Sequence, residues 1–205
     1  MKMNRAAFYS TLRKRASGVF GTVLSQGAVD GMESILDQAE RRETPLRWLA
    51  YMLSTAYHET AHTMQPIAEY GGRRYFDKYE PGTRIGKNLG NTLTGDGYRF
   101  RGRGFVQLTG RRNYHVASTK LGVDFVADPE AVRVEKHAAA IMFAGMEQGW
   151  FTGKKLADYI TPKKTDYVNS RRIINGTDRA ALIARYASAF EAALRSAGYP
   201  VSTTT

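Results

Sequence analysis

The segment 56–70, AYHETAHTMQPIAEY, contains the residues whose types and spacing best suit a catalytic site. Glu59 and Glu69 are two carboxylates with Pro66 between them. Two carboxylates that flank a glycosidic bond can divide its hydrolysis, because one protonates the leaving oxygen while the other, ionised, activates water or attacks directly. Since the chain contains other glutamate pairs, this pair alone does not identify a hydrolase.

The same segment also spells HExxH, the zinc-peptidase motif, with His58 and His62. On a helix the two histidines would lie about 40° apart and could share a zinc ion, with Glu59 as general base. The metzincin extension is not present, because Gln65 and Ala68 occupy the positions of its glycine and histidine. Conceivable third ligands have no distinctive setting; they are Glu69, Glu80, His115 and His137. Alternatively, both histidines are ordinary polar residues beside a cleft.

The segment 97–114, GYRFRGRGFVQLTGRRNY, interleaves arginines with aromatic residues. Such a strip can bind nucleic acid through phosphate contacts and base stacking, or its arginines can form internal ion pairs. Gln107, Thr109 and Asn113 are more informative, because amide and hydroxyl groups beside apolar residues suit a cleft that holds sugar hydroxyls and a water. The strip residues are Arg99, Arg101, Arg103, Arg111 and Arg112, with Tyr98, Phe100, Phe105 and Tyr114.

Length and composition restrict these alternatives. The 205 residues suit one domain, and the absence of cysteine excludes disulfides, cysteine zinc sites and a thiol nucleophile. The net charge of +11 favours a polyanionic partner such as nucleic acid, an anionic membrane or an acidic cell-wall polymer. We detect no signal peptide and no apolar run of about 18 residues that could span a membrane. We therefore expect the protein to accumulate where it is made and to need another factor for release.

Apolar periodicity predicts a mainly helical chain. Helices are expected over 29–42, over 130–148 and from Asp178 onwards, with a weaker one in the basic segment 1–24 and a frayed tail at Ser202–Thr205. Glycines mark residues 70–104 as loop-rich, with a possible short hairpin, and residues 105–108 as a small strand or a tight connection.

A further helix is predicted to begin with Thr44 as its cap and Pro45 in its first turn. At about 100° per residue, Glu59 lies about 20° from Met52 on the apolar face of this helix. Desolvation there would favour the protonated carboxyl that an acid catalyst requires. Pro66 cannot continue the helix, so Glu69 is expected on the following loop.

Three motifs, in this order, resemble the family 19 glycoside hydrolases, which comprise plant-type chitinases and many phage endolysins: HETA at 58–61, FRGRGFVQLTGRRNY at 100–114 and RRIINGT at 171–177. The resemblance runs from about residue 24 to 199 and looks more like the endolysin branch. It implies a mainly α (α+β, lysozyme-like) fold, with two helical lobes and a loop-rich segment or small hairpin lining a cleft. One catalytic domain is expected over 1–205, with an N-terminal basic segment over 1–24 and the hydrolase core over 25–200.

The resemblance also implies roles for individual residues in an inverting mechanism that uses no metal and no cofactor. Glu59 would be the general acid, Glu69 the general base, and Thr109 the residue that helps to hold the attacking water. The expected substrate-binding residues are His58, Tyr98, Gln107, Asn113, Asn175 and Arg179. Thr177 departs from the family, which often has a second glycine there, and residues 71–95 do not follow the plant chitinases, so their substrate cannot simply be carried over.

We therefore expect a phage endolysin that hydrolyses β-1,4 bonds of peptidoglycan, between N-acetylmuramic acid and N-acetylglucosamine. The expected partners are peptidoglycan, the anionic cell envelope and a holin for release, with no specific nucleic acid, and the enzyme is expected to be a monomer. It would stay in the host cytoplasm until release to the periplasm and cell wall. The first alternative is a chitinase acting on chitin oligomers. A zinc metallopeptidase and a nucleic-acid binder are more distant, because neither explains Gln107, Thr109, Asn113 and Asn175.

Overall fold

This computed structural model describes residues 3–200, and that part of the chain contains eight α-helices joined by loops and 3-10 segments. The central helix, α3, packs most extensively against α8, while α1 also packs on α8 and α2 packs on α7. The helices are α1 (Arg5–Leu12), α2 (Gln26–Arg41), α3 (Leu46–Glu59), α4 (Arg84–Asn88), α5 (Asp96–Arg99), α6 (Arg111–Leu121), α7 (Glu135–Gln148) and α8 (Ala180–Ser196). The mainly helical prediction is confirmed.

Helix α3 lies in the middle of the core. Every residue from Leu49 to Tyr57 is buried, which leaves this helix no solvent-facing side over most of its length. A helix that is buried all round is held by its neighbours rather than by its own propensity. Its last residues therefore emerge from the core at a defined place, which fixes where Glu59 lies.

The N-terminus of α3 differs from the prediction. Pro45, not Thr44, is the cap residue, and the buried Thr44 Oγ1 has no hydrogen-bond partner. The reason is that Thr44 closes the preceding helix: its N–H donates to Ala39 O, at 3.0 Å, after Glu43 has turned into the left-handed region at φ 51°. This is a Schellman closure, and it leaves the Thr44 side chain facing the core.

The C-terminus of α3 also differs, since Pro66 is not what ends the helix. Ala61 turns left-handed at φ 49°, and its N–H donates to His58 O. The N–H of His62 donates to Tyr57 O at 2.8 Å, which completes a second Schellman closure. The helix thus stops well before the proline, although Glu69 lies on the following loop, as predicted.

Residues 60–110 form the loop-rich wall over the helices. They contain a 3-10 segment, Arg73–Tyr79, and the short helices α4 and α5. In place of the predicted hairpin, the described residues make isolated antiparallel bridges that pair Arg103 with Ala68 and with Leu108. Residues 105–108 form a tight turn that brings Leu108 back to Arg103.

Close backbone approaches hold this wall together. A Cβ at Gly86 would lie 2.0 Å from the carbonyl oxygen of Glu80, so only glycine fits there. The Glu80 carboxylate accepts from the N–H groups of Gly95, at 2.8 Å, and Gly97, at 3.1 Å. Glu80, one conceivable metal ligand, is therefore engaged in fixing a loop.

The remaining elements follow the predicted order with shifted bounds. The helix expected over 130–148 is divided into a 3-10 turn, Pro129–Arg133, and α7, while α8 begins two residues after Asp178. Helix α6 has no counterpart among the predicted helices. The expected N-terminal helix corresponds to α1 and a 3-10 turn at Arg15–Ser17, whereas the expected tail at 202–205 lies outside the described residues.

The two ends of the described chain meet. The backbone N–H of Asn4 donates to Ala197 O at 2.8 Å, and the Asn4 side chain caps α1 by accepting from Ala7 N. Across residues 3–200, none of the helices combines the length and apolar character needed to cross a membrane.

Candidate active site

A cleft of about 620 Å³ lies between the end of α3 and the loop-rich wall. Both carboxylates of the first motif, Glu59 and Glu69, line it. The other lining residues mix polar side chains, three of which come from the stretch 107–113, with apolar ones: Tyr79, Ile85, Leu89, Val106, Gln107, Leu108, Thr109, Asn113, Phe151, Ile174 and Asn175. Six of the nine predicted site residues thus meet in one cavity, although they come from four separate parts of the chain.

Glu59 is the last residue of α3, and Arg171 holds it at the cleft. Arg171 Nη1 donates to Glu59 Oε1 at 2.5 Å, while its Nε donates to the backbone oxygen of Asp178 at 3.1 Å. The guanidinium is almost fully buried, with 4% of the side chain exposed. A buried cation with fixed acceptors on two sides gives the carboxylate one orientation.

Glu69 is held by a different set of groups on the opposite loop. Its Oε1 accepts from Tyr79 OH at 3.1 Å, and its Oε2 accepts from Gly102 N at 3.2 Å. Lys78 Nζ lies 3.8 Å from Oε1. The backbone N–H of Glu69 also donates to Gly102 O, at 2.8 Å. Every partner of the side chain is a donor or a cation, which suits a carboxylate that works as an acceptor.

A short chain of hydrogen bonds orients the polar stretch of the wall. Gln107, with a left-handed backbone at φ 53°, donates from Nε2 to the carbonyl oxygens of Ile67 and Gly104. Thr109 Oγ1 donates to Gln107 O at 2.7 Å, and Asn113 Nδ2 donates to Thr109 O at 2.8 Å. Because the Thr109 hydroxyl already donates its only hydrogen to Gln107 O, it can act toward the cleft only as an acceptor.

Asn175 contributes from the other wall. Its Oδ1 accepts from Gly176 N at 2.8 Å, so its amide group can donate into the cleft. Phe151 and Ile174 beside it supply apolar surface. A cavity whose surface is more polar than apolar, with several polar groups held by hydrogen bonds, suits a small ligand rich in hydroxyl and amide groups.

The helical geometry that HExxH needs is absent. His58 is on α3, but His62 lies beyond the helix end at φ 71°, and its ring stacks on Tyr57 at 4.2 Å. Burial lowers the pKa of both imidazoles. Within residues 3–200 no group of three or more His, Asp or Glu side chains is arranged to hold a metal ion.

The arginine-rich strip is mostly an internal network. Phe100, Phe105 and Tyr114 are fully buried in the core. Arg103 donates to Glu130 and to Tyr114 OH. Arg111 forms a bidentate ion pair with Asp96, with Nε 2.7 Å from Oδ2 and Nη2 2.6 Å from Oδ1. Aromatic rings that lie in the core are not available to stack on bases, so the strip does not form the surface that a nucleic-acid binder needs.

Three predicted substrate-binding residues lie outside the cleft lining. His58 precedes Glu59 on α3, and Tyr98 packs edge-on against Phe76 with Arg101 over its face. Arg179 is exposed at the start of α8. Their roles in binding stay predictions.

Arg171 is the site residue that the sequence analysis missed. The motif RRIINGT predicts a role for Asn175, and Arg179 is the only arginine among the predicted site residues. The available signal was weak: Arg171 and Arg172 are adjacent, and only the 3-10 turn Asn169–Ile173 decides that the first is buried and the second exposed.

Solved structures share this fold. Chitinase C from Streptomyces griseus HUT6037 matches with a TM-score of 0.58 and 17% sequence identity, over 98% of this chain and 79% of that chain. A mutant of chitinase C matches with a TM-score of 0.57, 17% identity and the same coverage. A family GH19, class IV chitinase from Zea mays is a weaker match, with a TM-score of 0.46, 19% identity, and coverage of 97% and 83%. No protein-family model and no curated protein matches the chain.

Proposed function

We propose that the protein is a glycoside hydrolase that cleaves β-1,4 bonds with Glu59 as acid and Glu69 as base. The observation that carries this proposal is that the two glutamates line one cleft from different elements, each with its own fixed partners. Thr109, Gln107, Asn113 and Asn175 add acceptors and donors suited to sugar hydroxyls and acetamido groups.

In the proposed reaction, Glu59 gives its proton to the glycosidic oxygen as the bond from that oxygen to the anomeric carbon breaks. A water attacks the same carbon from the opposite face and passes a proton to Glu69. Glu69 and the Thr109 hydroxyl are both acceptors, so each takes one hydrogen of this water and leaves a lone pair aimed at the sugar. The product would therefore have an inverted anomeric configuration.

For the substrate we infer peptidoglycan, cleaved between N-acetylmuramic acid and N-acetylglucosamine, and for the biological role a phage endolysin released with the help of a holin. The net charge of +11 supports an anionic wall polymer. The three sequence motifs resemble those of the family 19 glycoside hydrolases, and residues 71–95 depart from the plant chitinases of that family.

Chitin is the second candidate substrate. It is favoured by a specific observation, since solved structures that share the fold are named chitinase C. Chitin and peptidoglycan both present β-1,4-linked N-acetylated sugars, so one pair of carboxylates can serve either.

The test uses purified peptidoglycan and chitin oligomers as substrates. Mass analysis of the released fragments identifies the new reducing end, and proton NMR follows its anomeric configuration from the first turnovers. Glu59→Gln and Glu69→Gln should each lower kcat/KM by about 10²–10⁴, the usual contribution of an acid or base catalyst.

Glu43→Gln, at an exposed glutamate beyond α2, is the matched control and should keep full activity. A folded Glu59→Gln protein with undiminished hydrolysis would refute the proposal, and a retained anomeric configuration would refute the role given to Glu69.

A further inference from the structure

Lys78 forms an ion pair with the proposed base without a hydrogen bond, and it stands beside the residues that line the cleft rather than among them. It lies in the 3-10 segment Arg73–Tyr79, next to the cleft residue Tyr79 and two residues after the buried Phe76. The 3.8 Å between its Nζ and Glu69 Oε1 is longer than a hydrogen bond. The ammonium group is thus close to the reacting region while keeping donors to offer.

Two aromatic rings hold this ammonium group in place. Nζ lies 3.6 Å from the centre of the Tyr75 ring and 4.7 Å from that of Tyr79. Such contacts attract the ammonium group to the faces of the two rings and so restrain its position. Lys78 keeps 37% of its side chain exposed, and Tyr75 is 49% exposed, so both can be reached from solvent.

Lys78 differs from Arg171 in burial and in hydrogen bonding, and this difference leaves Lys78 able to contact a substrate. Arg171 also stands beside a proposed catalytic carboxylate, but it is buried and donates to two protein oxygens. Lys78 is exposed and lacks such fixed acceptors at its Glu69 contact. Arg171 can only position, whereas Lys78 can exchange its weak contact for a group on the substrate.

The chemistry of that group follows from the charges present. A carboxylate on the substrate would be repelled by Glu69, because the two charges have the same sign. A lysine between them removes this repulsion and pairs with the incoming carboxylate. A neutral sugar gains nothing from it. Of the two candidate substrates, chitin is uncharged, whereas the muramic sugar of peptidoglycan carries a lactyl carboxylate, free or extended by a peptide.

We propose that Lys78 is a specificity residue that pairs with a carboxylate on the bound sugar and makes the cleft prefer acidic glycans to chitin. This inference rests on the proposed function, and it assigns to Lys78 the choice between the two substrates. Tyr75 and Tyr79 serve as the platform that keeps the ammonium group at the cleft.

The first experiment measures kcat/KM on muramic-acid glycan strands with free lactyl carboxylates and on chitin oligomers of equal length. Lys78→Gln should lower the ratio of the two values by about twofold to fivefold, the scale of one partly exposed charge pair. Lys78→Arg should restore much of it. Amidating the substrate carboxylates should produce the same loss in the unaltered protein. Lys14→Gln removes the same charge from an exposed position between α1 and the 3-10 turn Arg15–Ser17, where no contact with Glu69 is made, and should leave the ratio unchanged.

Equal losses on both substrates, or no loss on either, would overturn the proposal. A binding measurement separates this failure from that of the proposed function. Calorimetry on the Glu59→Gln protein compares a muramic-acid tetrasaccharide with chitotetraose without any turnover. If the unaltered protein hydrolyses neither polymer, the hydrolase assignment fails, but Lys78→Gln must still reduce the binding preference for the acidic sugar. An unreduced preference, or none to begin with, rejects the role of Lys78.

Discussion

Arg171 gives Glu59 a fixed place that the helix end alone would not provide. A glutamate at the last residue of a helix has several rotamers, and each change of rotamer would move its carboxyl group by ångströms. The guanidinium, bonded to Glu59 and to the carbonyl oxygen of Asp178, selects one of them. Because the pair is largely buried, truncating one member leaves the other without its partner.

We therefore expect Arg171→Met to lower kcat/KM by about 10² or more, and to lower the free energy of unfolding by about 3–5 kcal/mol, the usual cost of breaking a buried pair. Steady-state kinetics and urea unfolding measure the two effects. Arg171→Lys should recover part of each, because it keeps the charge but loses the second donor.

Arg172→Met is the matched control at the exposed neighbouring arginine, and neither quantity should change much there. Comparable losses in both methionine variants would show that Arg171 has no special role at the site.

At the same scale, the sequence predicts which residues line the cleft better than which residue holds the proposed acid in place. Glu59, Glu69, Gln107, Thr109, Asn113 and Asn175 all line the cleft, since each belongs to a recognisable motif. Arg171 could not be separated from Arg172 or Arg179, because the burial of an arginine depends on a 3-10 turn that leaves no periodic pattern.

The C-terminal closure of α3 decides where the proposed acid stands. Ala61 adopts a left-handed backbone at φ 49° so that the N–H groups of Ala61 and His62 can close on the last turn. A residue with a Cβ pays about 1–2 kcal/mol for that conformation, whereas glycine does not. Glycine, in turn, loses more entropy on folding.

These two effects leave a net gain for glycine, so we expect Ala61→Gly to raise the free energy of unfolding by about 0.5–1 kcal/mol. Urea unfolding measures the change. Ala61→Val is the opposite control, because a β-branched residue tolerates the left-handed region poorly and should destabilise the protein. If the valine variant were the more stable one, the closure would not be under backbone strain.

The sequence predicts the long helices better than it predicts the residues at which they begin and end. Apolar periodicity located α2, α3, α7 and α8, because a buried face imposes a regular spacing. The predicted start of α3 at Thr44 and its predicted end at Pro66 are both wrong, because the closures of α2 and α3 use non-glycine residues, Glu43 and Ala61, in the left-handed region. The residue types therefore do not predict where these helices end, because glycine is the usual sequence signal for such a closure.

For the molecule as a whole, Asp96 and Arg111 join the loop-rich wall to α6. Asp96 is buried, and its carboxylate accepts from Arg111 and from the backbone N–H groups of Thr92 and Leu93. Burial alone would raise the pKa of this carboxyl, but these hydrogen bonds outweigh it and hold the pKa below its ordinary value. The wall therefore depends on the ionised form of one side chain.

A carboxyl whose pKa is lower in the folded state contributes stability above its unfolded pKa, near 3.9, and loses it as the pH falls through the folded value. We expect the free energy of unfolding to fall steeply below about pH 4. Asp96→Asn should reduce this acid dependence and cost about 2–3 kcal/mol at pH 7, where the charged hydrogen bonds are lost. Urea unfolding from pH 7 to 2.5 measures both.

Asp77→Asn, at an exposed aspartate of the wall, is the matched control and should change neither the stability at pH 7 nor the slope. An unchanged acid limb in Asp96→Asn would mean that the wall is held by other contacts.

The hydrogen bond between Asn4 N and Ala197 O, together with the packing of α1 on α8, brings the first and last helices to one point of the surface. A linker of a few residues could join them, and the chain could be opened instead at an exposed turn such as Gly153–Lys155. The protein is thus suited to circular permutation. For the same reason, a second domain joined directly to residue 3 or to residue 200 would start from the same side of the protein, so the order of the two parts in such a chimera is a free choice.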